Sequence, residues 1–202
     1  MAKKPKILAF AGSLRERSYS KRVVKTAMVG AENAGTEVTY VDLRDYPMPI
    51  YNADDHEKNG FDANASKLQK LLAQHDGLLI CSPEYNGSLP GGLKNAIDWT
   101  SRASDEYKMY EVYRGKWAAM MTESPGAFGG LRCLGHLRGV LTIMQINVLP
   151  TEIAVGKVHE MFDGDGEEMA DEKMKKILEN LGVSLADILK KTSGDAEFGA
   201  AQ

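Results

Sequence analysis

Hydroxyl and guanidinium side chains are concentrated in one short segment near the start of the sequence. Residues 9–20 read Ala-Phe-Ala-Gly-Ser-Leu-Arg-Glu-Arg-Ser-Tyr-Ser, and they run from an apolar strand-like stretch into one with helical periodicity. N–H groups at a helix N-terminus lack intrahelical acceptors and carry partial positive charge, so such a loop stabilises an anion without a metal ion. Further hydroxyl and guanidinium donors come from Ser13, Arg15, Arg17, Ser18 and Ser20. The chemistry indicated is phosphate binding.

The composition of this loop narrows the kind of phosphate that it suits. A Walker-type loop needs a lysine in a fixed frame after a second glycine, and a dinucleotide loop needs three glycines. Neither pattern fits, because Gly12 is the only glycine in the segment. What remains is a terminal phosphomonoester such as that of FMN, which binds to many hydroxyl and amide donors. The alternative is an ordinary strand-to-helix turn with Ser20 as the N-cap.

A second loop of unusual content follows the third predicted strand. Residues 82–99 read Ser-Pro-Glu-Tyr-Asn-Gly-Ser-Leu-Pro-Gly-Gly-Leu-Lys-Asn-Ala-Ile-Asp-Trp. Prolines stiffen this backbone and glycines permit close approach of a ligand, so a planar ring could lie against it with Tyr85 packed nearby. The alternative is a simple strand-to-helix connection in which Pro90 starts the helix, although the loop exceeds the usual length of roughly two to six residues.

The two loops together carry a family resemblance. Residues 12–15, Gly-Ser-Leu-Arg, combined with the motif from Pro83 to Trp99, resemble the NADPH-dependent FMN reductase family of quinone, chromate and azo-dye reductases. The resemblance covers about Lys6 to Leu189. It implies an FMN-dependent oxidoreductase that transfers hydride from NADPH or NADH through bound FMN to a small-molecule acceptor: a quinone, azo compound, chromate or free flavin. The cofactor supplies the chemistry, so no catalytic side chain is assigned.

The resemblance also implies which residues bind the cofactor. In the first loop, the predicted phosphate-binding residues are Ser13, Arg15, Ser18, Tyr19 and Ser20, and relatives often carry Asn at the last position. In the second loop, the residues expected to contact the flavin ring are Pro83, Glu84, Tyr85, Asn86 and Gly87. A third loop, residues 124–132, is similar to a glycine-rich wall of the family, with cofactor-binding residues Ser124, Gly126 and Gly129. The alternative for each residue of this third loop is a flexible strand-to-helix turn.

Apolar, strand-like runs alternate with predicted helices along the chain, and this alternation predicts the architecture that positions these loops. Strands are predicted over 6–11, 37–42, 77–82, 116–122 and 145–149, and helices over about 20–34, 64–74, 91–102, 131–144 and 171–190. Near-continuous apolar runs are typical of parallel strands buried on both faces. The pattern predicts a three-layer, doubly wound α/β fold, flavodoxin-like, with a five-stranded parallel sheet in the order 2-1-3-4-5. We expect one domain over residues 1–192 and a disordered tail over 193–202.

Composition limits the classes of partner. A chain of 202 residues is long enough for one sizeable core, and a formal charge of −3 argues against a nucleic-acid surface. No apolar run reaches the roughly 18 residues of a membrane span and no signal-peptide pattern is present, so we expect a cytoplasmic protein without membrane partners. The resemblance implies a homodimer or homotetramer. The tyrosines that could form this contact, or could instead pack in the core or a loop, are Tyr107, Tyr110 and Tyr113.

Other patterns do not indicate a competing chemistry. Cys81 and Cys133 lack C-x-x-C spacing and the four histidines are scattered, so no metal site is predicted and both cysteines are expected to be buried apolar residues. Asp42 is interpreted as a turn or capping residue, because the glycines of a dinucleotide-binding loop are missing. Two alternatives to an enzyme stay open: a flavodoxin-like electron carrier and a non-enzymatic flavin-binding module. The small net charge offers little of the field that favours docking of an electron carrier.

Overall fold

The computed structural model describes residues 4–192, and its central feature is a five-stranded parallel sheet. The strands are β1 Lys6–Ala11, β2 Glu37–Val41, β3 Gly77–Pro83, β4 Trp117–Glu123 and β5 Asn147–Val155. Their order is β2-β1-β3-β4-β5, and every neighbouring pair is parallel. The predicted flavodoxin-like topology is therefore confirmed, and the loops that follow β1, β3 and β4 emerge at the same edge of the sheet.

Helices cover both faces of this sheet and make the three layers. They are α1 Tyr19–Asn33, α2 Ala53–Asn59, α3 Ala63–Gln74, α4 Gly91–Thr100, α5 Leu131–Ile143 and α6 Glu172–Thr192. The apolar cluster on one face contains residues of α1 and α6, and the cluster on the other contains residues of α3, α4 and α5. Within residues 4–192, no helix is both long and apolar enough to cross a membrane.

Strand β1 shows why the sheet is buried on both sides. Ile7 and Ala9 belong to the cluster beneath α1 and α6, whereas Leu8 and Phe10 belong to the cluster on the opposite face. Successive side chains of a strand point to opposite faces, so a strand covered by helices on both sides needs an unbroken apolar run. All four side chains are at most 6% exposed.

The start of α1 is fixed by a serine cap. Ser18 has an extended backbone (φ −93°, ψ 136°), and its side chain accepts a hydrogen bond from the N–H of Ser20 at 3.2 Å. A hydroxyl in this position satisfies one of the N–H groups that the first helical turn leaves unpaired. The cap is therefore Ser18, two residues earlier than the Ser20 cap that the sequence suggested as an alternative.

Helices α1 and α6 approach each other closely because each has a glycine at the crossing. A Cβ atom on Gly30 would lie 1.9 Å from the carbonyl oxygen of Glu179, and one on Gly182 would lie 2.1 Å from that of Ala27. Both contacts are with backbone atoms, which have little freedom to move. Glycine at these two positions is what allows the helices to pack at this distance.

Two elements differ from the sequence prediction. Strand β5 continues to Val155, because a shift in its pairing with β4 between Ala118 and Met120 accommodates Pro150 at the edge of the sheet. Helix α2 was not predicted, and it has no buried residue from which an amphipathic pattern could be read. The predicted disordered tail, residues 193–202, lies outside the described residues.

Several smaller predictions are confirmed. Cys81 and Cys133 are free and buried, as the sequence predicts. Asp42 is the N-cap of a short 3-10 helix, and its carboxylate also lies 2.5 Å from the Nζ of Lys21. Tyr113 is buried in the core, where its hydroxyl is 2.6 Å from that of Thr100.

Candidate functional site

Three loops meet at the carboxyl edge of the sheet around a depression of about 110 Å³. Its lining consists of Ser13, Arg15, Ser18, Tyr19, Pro83, Glu84, Tyr85, Glu123, Ser124 and Pro125. Eight of these are residues that the sequence assigned to a cofactor site, and they come from segments 12–20, 83–87 and 124–129. The remaining predicted residues, which belong to the same loops but not to this lining, are Ser20, Asn86, Gly87, Gly126 and Gly129. Glu123 and Pro125 were not predicted.

The first loop is held rigidly between β3 and α4. The N–H of Gly12 donates to the carbonyl of Cys81 at 2.8 Å, which extends the pairing of β1 with β3. Ser13 is 1% exposed, and its hydroxyl accepts from the N–H of Arg15 at 3.2 Å. A Cβ atom on Gly92 would lie 2.7 Å from Leu14, so the loop packs directly on the first turn of α4. This leaves the Arg15 side chain exposed at the rim.

Tyr19 and Arg17 are oriented by the segment that precedes α6. The guanidinium of Arg22 lies 4.8 Å from the ring centre of Tyr19 and 4.9 Å from that of Phe162, and this arrangement fixes the Tyr19 ring. Arg17 forms an exposed ion pair with Asp165 at 3.1 Å and does not line the depression. Of the two arginines that the sequence offered for an anion, Arg15 is the one that faces it.

The second loop contains a tight turn at Asn86 and Gly87. The N–H of Tyr85 donates to the carbonyl of Ser88 at 2.9 Å, and the reverse bond measures 3.0 Å. Asn86 and Gly87 both have positive φ, at 51° and 80°, which is the geometry of a type I′ turn and explains the Asn-Gly pair. The turn leaves the Tyr85 side chain 45% exposed beside the depression, where it offers a flat aromatic surface.

Glu84 ties the second loop to the start of α5. Its carboxylate accepts hydrogen bonds from the N–H groups of Arg132 and Cys133 at 3.1 and 3.2 Å, and from the Arg132 guanidinium at 2.7 Å. Burial alone would raise the pKa of Glu84, but these bonds and the charge of Arg132 outweigh it, so the pKa is lowered. Glu84 is therefore a carboxylate that caps α5 and fixes the loop.

The third loop is locked against the end of β5. Gly129 and Gly130 have φ values of 58° and 84°, and the Thr122 hydroxyl donates to the carbonyl of Gly129 at 2.8 Å. A Cβ atom on Gly129 would lie 2.5 Å from the nitrogen of Gly156. The Ser124 hydroxyl donates to the carbonyl of Gly126 at 3.3 Å within the loop. Glycine at position 129 is required by both the positive φ and the lack of space.

Glu123 is a buried acid that sequence reasoning missed. It is 5% exposed, and its Oε1 accepts a hydrogen bond from the Ser20 hydroxyl at 2.6 Å. Burial raises its pKa, while the bond from Ser20 and the charge of Arg15 act in the opposite direction. Ser20 is 0% exposed, and the partner of its hydroxyl within the protein is the Glu123 carboxylate. The signal in the sequence is a charged residue at the end of a strand that is apolar from Trp117 to Met121.

A larger depression of about 700 Å³ lies on the other side of Leu14 and Gly92. It is bordered by Leu43, Pro47, Met48, Ile50 and other residues of the segment after β2 and the first turns of α4. Its basic side chains are Arg44 and Lys94, and the latter is already paired with Asp98 at 2.8 Å. It has no cluster of serine hydroxyls, so the smaller depression is the better match to the predicted phosphate site.

The fold and the site together define a class. A parallel sheet in the order 2-1-3-4-5, with hydroxyl-rich and glycine-rich loops around a depression at its carboxyl edge, defines a flavodoxin-like α/β protein. The family model described as NADPH-dependent FMN reductase matches residues 5–160, and the chain belongs to this family.

Individual relatives agree with this assignment. The chain is 36% identical to a quinone reductase of Escherichia coli (strain K12), over 85% of this chain and 88% of the relative. It is 32% identical to an NAD(P)H:quinone oxidoreductase of Solanum tuberosum, over 98% of this chain and 100% of the relative. Among solved structures, it resembles the flavoenzyme NAD(P)H:(acceptor) oxidoreductase FerB of Paracoccus denitrificans, with a TM-score of 0.74, 26% identity, and coverage of 93% and 98%.

Proposed function

We propose that the protein is an FMN-dependent NAD(P)H oxidoreductase that reduces quinones. The observation that carries this proposal is the convergence of three loops, distant in sequence, on one small depression at the carboxyl edge of the sheet. The E. coli relative is named a quinone reductase and the Solanum tuberosum relative an NAD(P)H:quinone oxidoreductase. The aligned region covers at least 88% of the length of each relative.

The residues present fit FMN in the chemistry of their donors. Ser13 and Ser18 supply hydroxyls, Arg15 supplies charge, and the N-terminus of α1 adds its dipole, which together suit a phosphomonoester. Pro83 and Tyr85 offer a stiff and partly exposed apolar surface for a planar ring. We propose the whole predicted set as the cofactor site, with Ser20, Asn86, Gly87, Gly126 and Gly129 shaping its loops rather than lining its floor.

When bound, FMN would supply the redox chemistry, the transfer of a hydride equivalent from NADPH or NADH to the acceptor. The protein has three tasks. The Arg15 guanidinium would offset the charge of the phosphate, and the serine hydroxyls would orient it by hydrogen bonds. The turn at Asn86 and Gly87 and the Glu84 contact to Arg132 hold the second loop in place. The Gly129 backbone keeps the third loop close to the end of β5.

The finer points are also proposals. A quinone is the acceptor that the named relatives favour, ahead of an azo compound, chromate or free flavin. Cytoplasmic localisation and assembly into a homodimer or homotetramer remain predictions from the sequence and its family resemblance.

Cofactor binding is tested by titrating FMN and riboflavin into the purified protein and following the quenching of flavin fluorescence. We expect Arg15→Ala to weaken FMN binding by about 10- to 100-fold, since one hydrogen bond to a charged group is worth about 1.5–3 kcal/mol, and to leave riboflavin binding unchanged. Arg17→Ala is the matched control, because its guanidinium is paired with Asp165 outside the depression. Equal losses in both variants would contradict the assigned phosphate site.

Turnover is tested anaerobically. Addition of NADPH, and separately NADH, to the FMN-loaded protein should bleach the visible absorbance of the flavin, and a quinone should restore it. An unchanged spectrum with both nucleotides would favour an electron carrier instead. Protein that binds no FMN at all would overturn the proposal.

A further inference from the structure

An acid in a site for an anion is unexpected, and Glu123 occupies such a position. It is the last residue of β4, and it lines the same depression as Ser13, Arg15 and Ser18. An ionised carboxylate beside a phosphate would repel it, and the repulsion would be strong at a residue that is 5% exposed. The donor set around it otherwise favours negative charge, so the protonation state of Glu123 decides whether the site suits a phosphate.

Two serines connect Glu123 to the surface of the depression. The Ser18 hydroxyl donates to that of Ser20 at 3.2 Å, and the Ser20 hydroxyl donates to Oε1 of Glu123 at 2.6 Å. Both hydroxyl protons therefore point inward, toward the carboxylate, while Ser18 is a residue of the lining. A protonated Glu123 is itself a donor, so it allows the chain to reverse and the Ser18 hydroxyl to point outward.

None of the groups described around Glu123 is another buried acid whose pKa is raised toward the neutral range. From the first loop Arg15 acts on it as a positive charge, and from β3 the buried Cys81 thiol is a neutral neighbour whose own pKa is raised by burial. Glu84 lines the same depression, but Arg132 and the start of α5 hold it as a carboxylate. Tyr19 from α1 and Tyr85 from the second loop also line the depression, and Val155 of β5, the residue paired with Glu123 in the sheet, is apolar.

We propose that Glu123 meets the phosphate of FMN as a neutral carboxylic acid, so that binding of the cofactor takes up one proton at this residue. The inference rests on the proposed function, because it concerns the same FMN site. Burial of Glu123 and its raised pKa agree with this role. The proton comes from solvent, the serine chain reverses its direction, and Ser18 becomes a donor to the phosphate. Glu123 is thus a determinant of cofactor affinity.

The test is the dissociation constant of FMN as a function of pH, from about pH 6 to 9, for the wild type and Glu123→Gln. Wild-type affinity should fall with rising pH, by at most about tenfold per unit for one linked proton. Glu123→Gln keeps the shape of the side chain and a donor group without a charge. At the upper end of the pH range it should therefore bind FMN at least as tightly as the wild type, and its affinity should depend less on pH. Ionisation of the FMN phosphate, with a pKa of about 6, affects both proteins alike.

Two controls identify the source of the effect. Riboflavin, which has no phosphate, should bind with an affinity that neither pH nor the substitution changes over this range. Asp165→Asn removes an exposed carboxylate that lies outside the depression and should keep the wild-type slope. The same slope in the wild type and Glu123→Gln, or a riboflavin affinity with the same pH dependence as FMN, would overturn the inference while leaving the proposed function intact.

A second measurement does not depend on the folding of a variant. Calorimetric titration of wild-type protein with FMN, in two non-phosphate buffers of different ionisation enthalpy, counts the protons taken up on binding. We expect uptake approaching one proton within the same pH range, and none with riboflavin. Binding of FMN without uptake at any of these pH values would refute the role of Glu123. No binding of FMN at any pH would overturn the proposed function and this inference together.

Discussion

Replacing Gly129 with alanine should separate the third loop from the end of β5. The added Cβ atom would lie 2.5 Å from the nitrogen of Gly156 and 2.6 Å from the carbonyl carbon of Val155, roughly 1 Å closer than ordinary contact. Both are backbone atoms of a strand end, so they cannot turn aside as a flexible side chain would. The residue must also keep a φ of 58°, which alanine adopts only at a cost.

The expected loss of stability follows from these two effects. A left-handed conformation costs an L-residue about 1–2 kcal/mol, and crowding a packed site costs about 1–3 kcal/mol more, so the free energy of unfolding should fall by about 2–5 kcal/mol. For a chain of this length each kcal/mol corresponds to roughly 2–4 °C in Tm. The hydrogen bond from Thr122 to the carbonyl of Gly129 should weaken as the loop moves.

Thermal unfolding and urea denaturation of the FMN-free protein measure this loss, and fluorescence titration then measures whether FMN binding weakens with it. Gly126→Ala is the matched control in the same loop, because its Cβ atom would meet only the Ser124 hydroxyl at 3.6 Å. We expect Gly126→Ala to stay within about 0.5 kcal/mol of the wild type. If Gly129→Ala and Gly126→Ala unfold at the same temperature, the close contact with β5 does not account for the requirement for glycine at position 129.

Four further substitutions test other parts of the molecule. Gly182→Ala should lower the free energy of unfolding by about 3 kcal/mol or more, because its Cβ atom would lie 2.1 Å from the carbonyl oxygen of Ala27. Gly135→Ala on α5 has open space around it and should raise the free energy of unfolding by about 0.5–1 kcal/mol. Urea denaturation measures both changes. Asp42→Asn keeps the cap of the 3-10 helix but removes the charge that faces a lysine ammonium 2.5 Å away, and should cost about 1–3 kcal/mol in the same assay. For the acid at the end of β4, folding raises the pKa above its ordinary 4.5, so the folded state holds a proton that the unfolded state has lost and wild-type stability falls as pH rises through this window. Glu123→Gln lacks this loss, so its Tm advantage over the wild type should grow with rising pH, and an advantage that shrinks would contradict the raised pKa.

Most of the fold could be predicted because its signals are local. Strand β1 is an unbroken apolar run that matches the prediction at both ends, and α1 begins within one residue of its predicted start. The loops that follow β1, β3 and β4 could be placed together because the order of parallel strands fixes which loops share an edge. For this reason the depression contains eight of the predicted residues.

The elements that were missed or cut short have no such signal. Helix α2 lies on the surface with no buried residue, so its local marks are limited to the Asn52 cap at its start and Gly60 after its end. Strand β5 contains Pro150, which normally ends a strand, and it continues only because the pairing with β4 shifts at that point. A register shift between two strands is a property of their packing, and no pattern within either strand encodes it.

The role of Glu123 could not be predicted because it depends on a contact across 103 residues of sequence. In the sequence it is one acid before a Ser-Pro turn, and a solvent-exposed strand end would explain it equally well. Only the packing of the first turn of α1 against the end of β4 shows that the carboxyl is buried and bonded to Ser20. Charged residues at the ends of buried parallel strands therefore merit attention even when no motif includes them.

The irregular pairing of β5 also bears on how copies of this protein can associate. Strand β5 forms one border of the sheet, and Pro150, which has no N–H, sits where its pairing with β4 is irregular. An outer strand of this kind presents a broken row of donors and acceptors, which disfavours addition of a further strand from a neighbouring molecule. We therefore expect subunits that associate on this side to use helix surfaces or loops rather than a continuous sheet.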